Sequence, residues 1–358
     1  MKRRLWFTLI GIVVLFLGTV FYAYRYWSGG NGDGREKILG AMPSTATSVF
    51  FVDAAALRQT PFVAQLLAWA PKPQADAEYA KFLRDTGFDY ERDLDRVAIA
   101  VIKHGQDATF FAIADGRFDR KKINAYTSQF GSHESRGGRE IFFVPISNSS
   151  RKISFTFPGQ HRIALTDDAD VAALLSSPST GEDAKEWRAR FERLAGSPVF
   201  AVIRQDAATG SELAARAPGG LQSQQLSALL DQLQWITVAG KPEDERLRVV
   251  MEGECPADAT ARQLSDMLNA VLMFAQAGLN GPQVRQQLDP QVREAYLEML
   301  KGADISRIDR GETKSVHLVF EVTPKFLAAA RAGTPAIPQQ PQTPPIAKSN
   351  QKAQRKRD

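Results

Sequence analysis

Ser48-Val49-Phe50-Phe51-Val52-Asp53 and Pro198-Val199-Phe200-Ala201-Val202-Ile203-Arg204 are short apolar runs, each of which reads as a strand leading into a helical region. After the first, Thr60-Pro61 provides a cap hydroxyl and a proline at the first helical position, and Phe62, Val63 and Leu66 begin an apolar stripe. Strands are expected over 96–102 and 108–114, then a helix from Asp119 to Gly131, strands over 140–144, 152–157 and 161–166, and a short helix capped by Asp168. After the second run, Leu226, Leu229, Leu230 and Leu233 share one helical face. Strands are expected over 234–239 and 246–251, followed by a long helix over 257–277 with Leu264, Met267, Leu268, Val271 and Leu272 as its buried stripe. A helix over 291–300, strands over 305–309 and 316–322, and a last helix from Pro324 complete this half. The element order repeats, so the expected fold is α+β, with two similar units and mostly antiparallel sheets.

Around these units the composition changes. Leu5 to Tyr24 is an uncharged apolar run of 20 residues, enough at about 1.5 Å per residue to cross the ~30 Å hydrocarbon core as an N-terminal transmembrane helix. Lys2, Arg3, Arg4 and Trp6 flank one end, and Tyr24 and Trp27 the other, as interfacial anchors do. A cleaved signal peptide would have a shorter apolar region and small residues after it, whereas Phe21, Tyr22 and Tyr24 are bulky. The concentrated positive charge before the run favours a single-pass protein of the bacterial inner membrane, N-terminus in and body extracytoplasmic. The expected organisation is a stub and anchor over 1–27, a flexible glycine-rich linker over 28–47, α+β units over 48–177 and 197–332 joined by a helix over 178–196, and a disordered tail over 333–358. In that tail Pro335, Pro338, Pro341 and Pro344 recur at the polyproline II period. It ends in Lys352, Arg355, Lys356 and Arg357, a basic tip suited to anionic cell-wall polymer or lipid headgroups.

The chain's net charge of +5 and pI of 9.2 suggest nucleic acid until the charge is located. Residues 1–27 and 348–358 carry +4 each, which leaves the body at −3. No nucleic-acid partner is expected. A single cysteine, Cys255, excludes an internal disulfide framework and cysteine-paired zinc sites. Its neighbours Glu252 and Glu254 oppose thiolate formation, so a passive thiol is expected. His104, His133, His161 and His317 have no helical metal-pair spacing, and neither a nucleophile elbow nor a phosphate-binding loop is present. The acids from Asp89 to Asp95 mimic the start of a calcium loop, but Leu94 replaces its turn glycine and Ala100 its twelfth-position glutamate. No catalytic residue, metal ligand or cofactor is expected.

Met42-Pro43, Val49-Phe50-Phe51-Val52-Asp53, Thr86-Gly87-Phe88-Asp89 and Asp93-Leu94-Asp95 together resemble a family of uncharacterised bacterial membrane-anchored envelope proteins with an ectodomain of unknown function. The resemblance covers residues 42–115; it implies an anchored ectodomain and brings no catalytic residues. The expected function is a non-enzymatic membrane-anchored scaffold that contacts inner-membrane lipid and other envelope components. The alternative is a lipid- or peptide-binding module with a cleft between the two units. A third reading, an enzyme, would need Asp53, Asp89 and Asp93 to converge.

Overall fold

The computed structural model describes residues 33–69, 77–105, 107–146, 151–168, 170–205, 228, 230–311 and 313–332. The expected membrane run with its flanks and the Pro-rich basic tail lie outside these residues. Among the described residues, no helix is long and apolar enough to cross a membrane.

The two apolar runs are the middle of the molecule. The strands β1 (Ala46–Asp53) and β8 (Val199–Arg204) pair antiparallel, with Phe51 opposite Phe200 and Val52 opposite Val199. This overturns the expected pair of separate units: one continuous antiparallel sheet of 12 strands spans both halves. The reason lies in the runs themselves. Val49 and Phe51 on one face and Val52 on the other are all buried, and a strand buried on both faces belongs inside a sheet. From the centre, one half adds β2 (Leu94–His104), β3 (Asp107–Gly116), β7 (Arg162–Thr166), β6 (Lys152–Gly159), β5 (Arg139–Pro145) and β4 (Ser132–Arg136). The other adds β9 (Trp235–Glu243), β10 (Arg246–Cys255), β12 (Thr313–Val322) and β11 (Asp304–Arg310). The repeated element order therefore appears as a shared strand order on either side of the β1–β8 seam.

Helices cover both faces. One face carries α1 (Asp33–Leu39), with Ile38, Leu39 and Met42 buried against Val49, Phe51, Ala98, Ala100 and Ile113. The linker expected over 28–47 thus gives way to structure at Asp33. The opposite face carries α2 (Ala54–Leu57) and α3 (Pro61–Trp69), whose Leu57, Phe62 and Val63 pack on Val52 and Val97. There follow α4 (Ala77–Thr86), α5 (Tyr90–Asp93), which Asp89 caps, and α6 (Arg120–Thr127), which Asp119 caps. On the α1 face again, α7 (Val171–Leu175) is capped by Asp170, which accepts from the amides of Ala172 and Ala173, and not by Asp168. The expected connecting helix is α8 (Gly181–Arg193), whose Trp187 and Phe191 join the α1-side core.

On the far face, α9 (Asp258–Asn280) buries Ala261 and Leu264 against Ile236, Cys255 and Val316. Its expected stripe is only partly covered: Met267 and Leu268 are half-buried, and so are Val271 and Leu272. The chain continues through α10 (Pro282–Gln287) and α11 (Pro290–Lys301) to β11, and α12 (Pro324–Ala332) packs Ala329 with Val292 and Ala295 of α11.

Gly116 marks a point where two backbones nearly touch. A Cβ there would stand 2.4 Å from the Asp93 carbonyl oxygen, which also accepts from the Arg117 amide at 2.8 Å. Gly116→Ala should cost about 1–3 kcal/mol, as other overpacked sites do. Chemical denaturation checks this, with Gly159→Ala as the comparison, because the closest atom there is 3.5 Å away.

Candidate functional site: a groove between α1 and α8

α1 and α8 lie side by side on one face of the sheet with a groove of about 720 Å³ between them. Its apolar lining includes Leu39, Met42, Ala46, Ala184, Trp187 and Phe191, and charged side chains including Arg35, Glu36, Arg188 and Glu192 also border it. Leu39 and Met42 fall one turn apart along the start of the body, and Trp187 and Phe191 one turn apart on α8, so each pair lies on one side of its segment. The volume and the apolar lining with a few polar groups are those of a small-molecule site.

Arg35 fixes one wall to the other. Its guanidinium donates to the carbonyls of Ala195 at 2.6 Å, Leu194 at 3.0 Å and Phe191 at 3.2 Å, at the negative C-terminal end of α8. The same group lies 5.2 Å from the ring centre of Phe51 and 4.8 Å from that of Phe200. Those rings stack on each other at 5.0 Å across the β1–β8 seam. Burial lowers the Arg35 pKa from its ordinary value, and the carboxylate of Asp53 opposes that shift.

The other side of α8 is bound to the sheet by charge. Glu252 and Glu254 of β10 point to the α8 face, as their register opposite Thr237 and Trp235 requires. Glu254 is 1% exposed and accepts from Arg190 at 2.5 Å and from Arg193. Arg190 also lies 3.9 Å from the ring centre of Trp235, which meets Trp187 edge-on at 4.8 Å. Glu252 pairs with Arg310, and its Oε2 lies 3.0 Å from Nε2 of His317. Burial alone would raise the Glu252 pKa; hydrogen bonds from His317, Arg310 and Ser315 and the charge of Arg193 outweigh it and hold the carboxyl well below the usual range. Arg204 donates to Asp183 near the start of α8. Each wall of the groove is therefore held by an arginine reaching across to another element.

Below α1 a second, more open cavity of about 510 Å³ is bordered by Arg96, Asp115 and Arg162, three members of a row of alternating charges that crosses four neighbouring strands. Asp53, Arg96, Asp115 and Arg162 lie directly opposite one another in the ladder. Arg96 donates to Asp53 at 2.9 Å, and Arg162 to Asp115 at 2.6 and 2.8 Å. Gly34 sits on this row so closely that a Cβ there would fall 2.3 Å from the Arg96 guanidinium.

The three acids singled out in the sequence are each committed elsewhere. Asp53 caps α2 and pairs with Arg96, Asp89 caps α5, and Asp93 pairs with Arg92 and Arg117 and accepts from the Asp89 amide. Among the described residues, no group of three or more histidine, cysteine, aspartate and glutamate side chains is placed to hold a metal ion. Cys255 is buried, and burial pushes its thiol up to about 11. The expected anchor flanks Lys2, Arg3, Arg4, Trp6, Tyr24 and Trp27 and the tail residues Lys352, Arg355, Lys356 and Arg357 lie outside the described residues. Sequence reading assigned the stretch 178–196, which holds Trp187 and Phe191, only as a connector; it placed Arg35 and Leu39 in a linker and Met42 only in a resemblance. The spacing of Ile38, Leu39 and Met42 just after the glycines is the signal that pointed to a packed segment there.

No protein-family model and no curated protein matches this sequence. Among solved structures, TP0453 is similar in crystal form III, with a TM-score of 0.44 and 11% identity over 83% of this chain and 98% of that one. Crystal form I gives 0.42 and 12% over 86% and 98%, and crystal form IV gives 0.39 and 9% over 83% and 96%. Likeness at this level carries no functional inference.

Proposed function

We propose that this chain is a membrane-tethered, non-enzymatic binding protein, and that the groove between α1 and α8 takes the apolar chain of an amphipathic ligand. The observation that supports this is the groove itself, apolar within and charged at its border. An extended peptide is a poorer fit: the strands beneath, β1, β2 and β8, are paired on both sides, so a peptide's amides would find no strand edge to bond. An acyl chain has no such requirement. The ligand-binding reading is thereby favoured over pure scaffolding, with the site on one sheet face and not between two units.

The tether follows from the order of the chain. The apolar run ends at Tyr24, the aromatic flank at Trp27, and only residues 28–32 separate that flank from α1. Five extended residues reach about 20 Å at most, so a wall of the groove stays near the bilayer surface where acyl chains are abundant. In this proposal the body is extracytoplasmic at the inner membrane of a bacterium, and Lys352, Arg355, Lys356 and Arg357 touch anionic headgroups or cell-wall polymer.

Photolabelling tests the groove. With full-length protein in nanodiscs and a diazirine-bearing palmitate, adducts should fall on the peptides containing Leu39–Ala46 and Ala184–Ala195. Ala184→Trp, which fills the groove from α8, should reduce this labelling about tenfold while leaving the thermal melt in place. Labelling scattered over the body, or unaltered in Ala184→Trp, would rule the groove out.

A further inference from the structure

The sheet ends differently on its two sides. Outward from the seam, the order β1-β2-β3-β7-β6 matches β8-β9-β10-β12-β11. In the first half, β6 is then covered by β5 and β4. In the second half the sheet stops, and among the described residues no strand pairs the outer side of β11. This is the same end of the sheet on which α9 packs. There Met273 is 65% exposed and Phe274 76%, within an uncharged stretch running from Met267 to Val284. Gln276 donates to the Leu300 carbonyl at the end of α11, which ties this part of α9 to the start of β11. An open strand edge and adjacent exposed apolar side chains are separate observations that meet at one end of the molecule.

We propose that a second copy of this chain covers this end, with β11 pairing antiparallel to its counterpart across a two-fold axis. A two-fold axis in an antiparallel ladder sets one residue opposite its own copy, so only a few registers exist. Centring on Arg307 sets guanidinium against guanidinium, and centring on Asp309 sets carboxylate against carboxylate. Centring on Ile308 sets two isoleucines together and places Arg307 opposite Asp309 twice, with Ser306 opposite Arg310. In the single chain Arg307 lies 3.7 Å from Asp258, and Asp309 accepts from Lys314 at 2.6 Å. Both are exposed surface pairs, weak enough to exchange partners. Of these three registers, the one centred on Ile308 alone pairs Arg307 with Asp309 without setting like charges together within β11, so the charges that blunt this edge against random strand addition match their own copy there. The axis stands normal to the sheet, so the α1 faces of both copies look the same way. Two chains leading into α1 from one bilayer satisfy that arrangement.

The test is disulfide crosslinking of the full-length protein in detergent under mild oxidation. Cys255 stays in place, since it is buried. Ile308→Cys should give a covalent dimer, and Ser306→Cys, whose own copy lies four positions away along the partner strand, should not. Arg307→Asp should weaken the dimer about tenfold by light scattering, and Arg307→Asp combined with Asp309→Arg should restore it. Equal crosslinking at 306 and 308, or a monomer at all concentrations with no crosslink at 308, would overturn the proposal.

Discussion

Glu254→Ala should cost about 3–5 kcal/mol of stability, among the largest effects of any single substitution in this chain. The carboxylate is 1% exposed and is the shared acceptor of Arg190 and Arg193. Removing it leaves the Arg190 guanidinium, whose side chain is only 12% exposed, without its counter-charge. The Arg190–Trp235 contact offers part of the compensation and no more. Because the same arginines hold α8 to β10, palmitate labelling in the groove should fall along with stability. The measurement is urea denaturation at neutral pH beside Arg193→Met, whose side chain is 27% exposed and whose loss should be milder. A cost below about 1 kcal/mol for Glu254→Ala would mean that water reaches the pair and that charge does not hold the wall.

Phe200→Ala should cost a comparable 3–5 kcal/mol, as truncation of a fully buried aromatic ring does. Phe200 is 2% exposed, stacks on Phe51 at 5.0 Å and lies under both Phe191 and the Arg35 guanidinium. It also occupies the seam, so the form of the transition is informative as well as its midpoint. One continuous sheet should melt in one step in the wild type and still in one step in Phe200→Ala. Two calorimetric transitions in the wild type would show that the halves hold themselves up separately.

The strands and their order along the chain were legible because apolar runs bounded by turn residues are local signals. Val49 to Val52 and Val199 to Ile203 announced strands, and their two-sided apolar character also held the information that they are central. What joined them was a long-range pairing, and no local pattern states which strand a run will choose. β4, Ser132–Arg136, escaped notice because Ser-His-Glu-Ser-Arg has no apolar alternation; it is a strand through its pairing with β5. α1 was hidden by the glycines before it, although Ile38 and Leu39 are fully or nearly buried. The groove needed both failures to be repaired, since one wall is α1 and the other a helix read as a connector. The charged contacts were still less accessible: Glu252 and Glu254 alternate on a strand, which marks them as facing one way, but their partners are tens of residues distant. The helix expected from Asp119 is present with Asp119 as its cap, since a cap is settled within three residues, whereas the cap expected at Asp168 falls two residues later at Asp170.

The first strand among the described residues, β1, lies in the middle of the sheet, and this has a mechanical consequence. A pull on the N-terminal end enters through α1, whose Arg35 grips the end of α8, and then through β1. β1 is bonded along its length to β2 on one side and β8 on the other. Load arriving there is carried in shear by two ladders at once, so many hydrogen bonds share it. A strand at the rim, such as β4 or β11, would instead be unzipped one bond at a time. The body is thus gripped at its toughest point by the segment that follows the apolar run of residues 5–24, while the rim strands bear none of that tension.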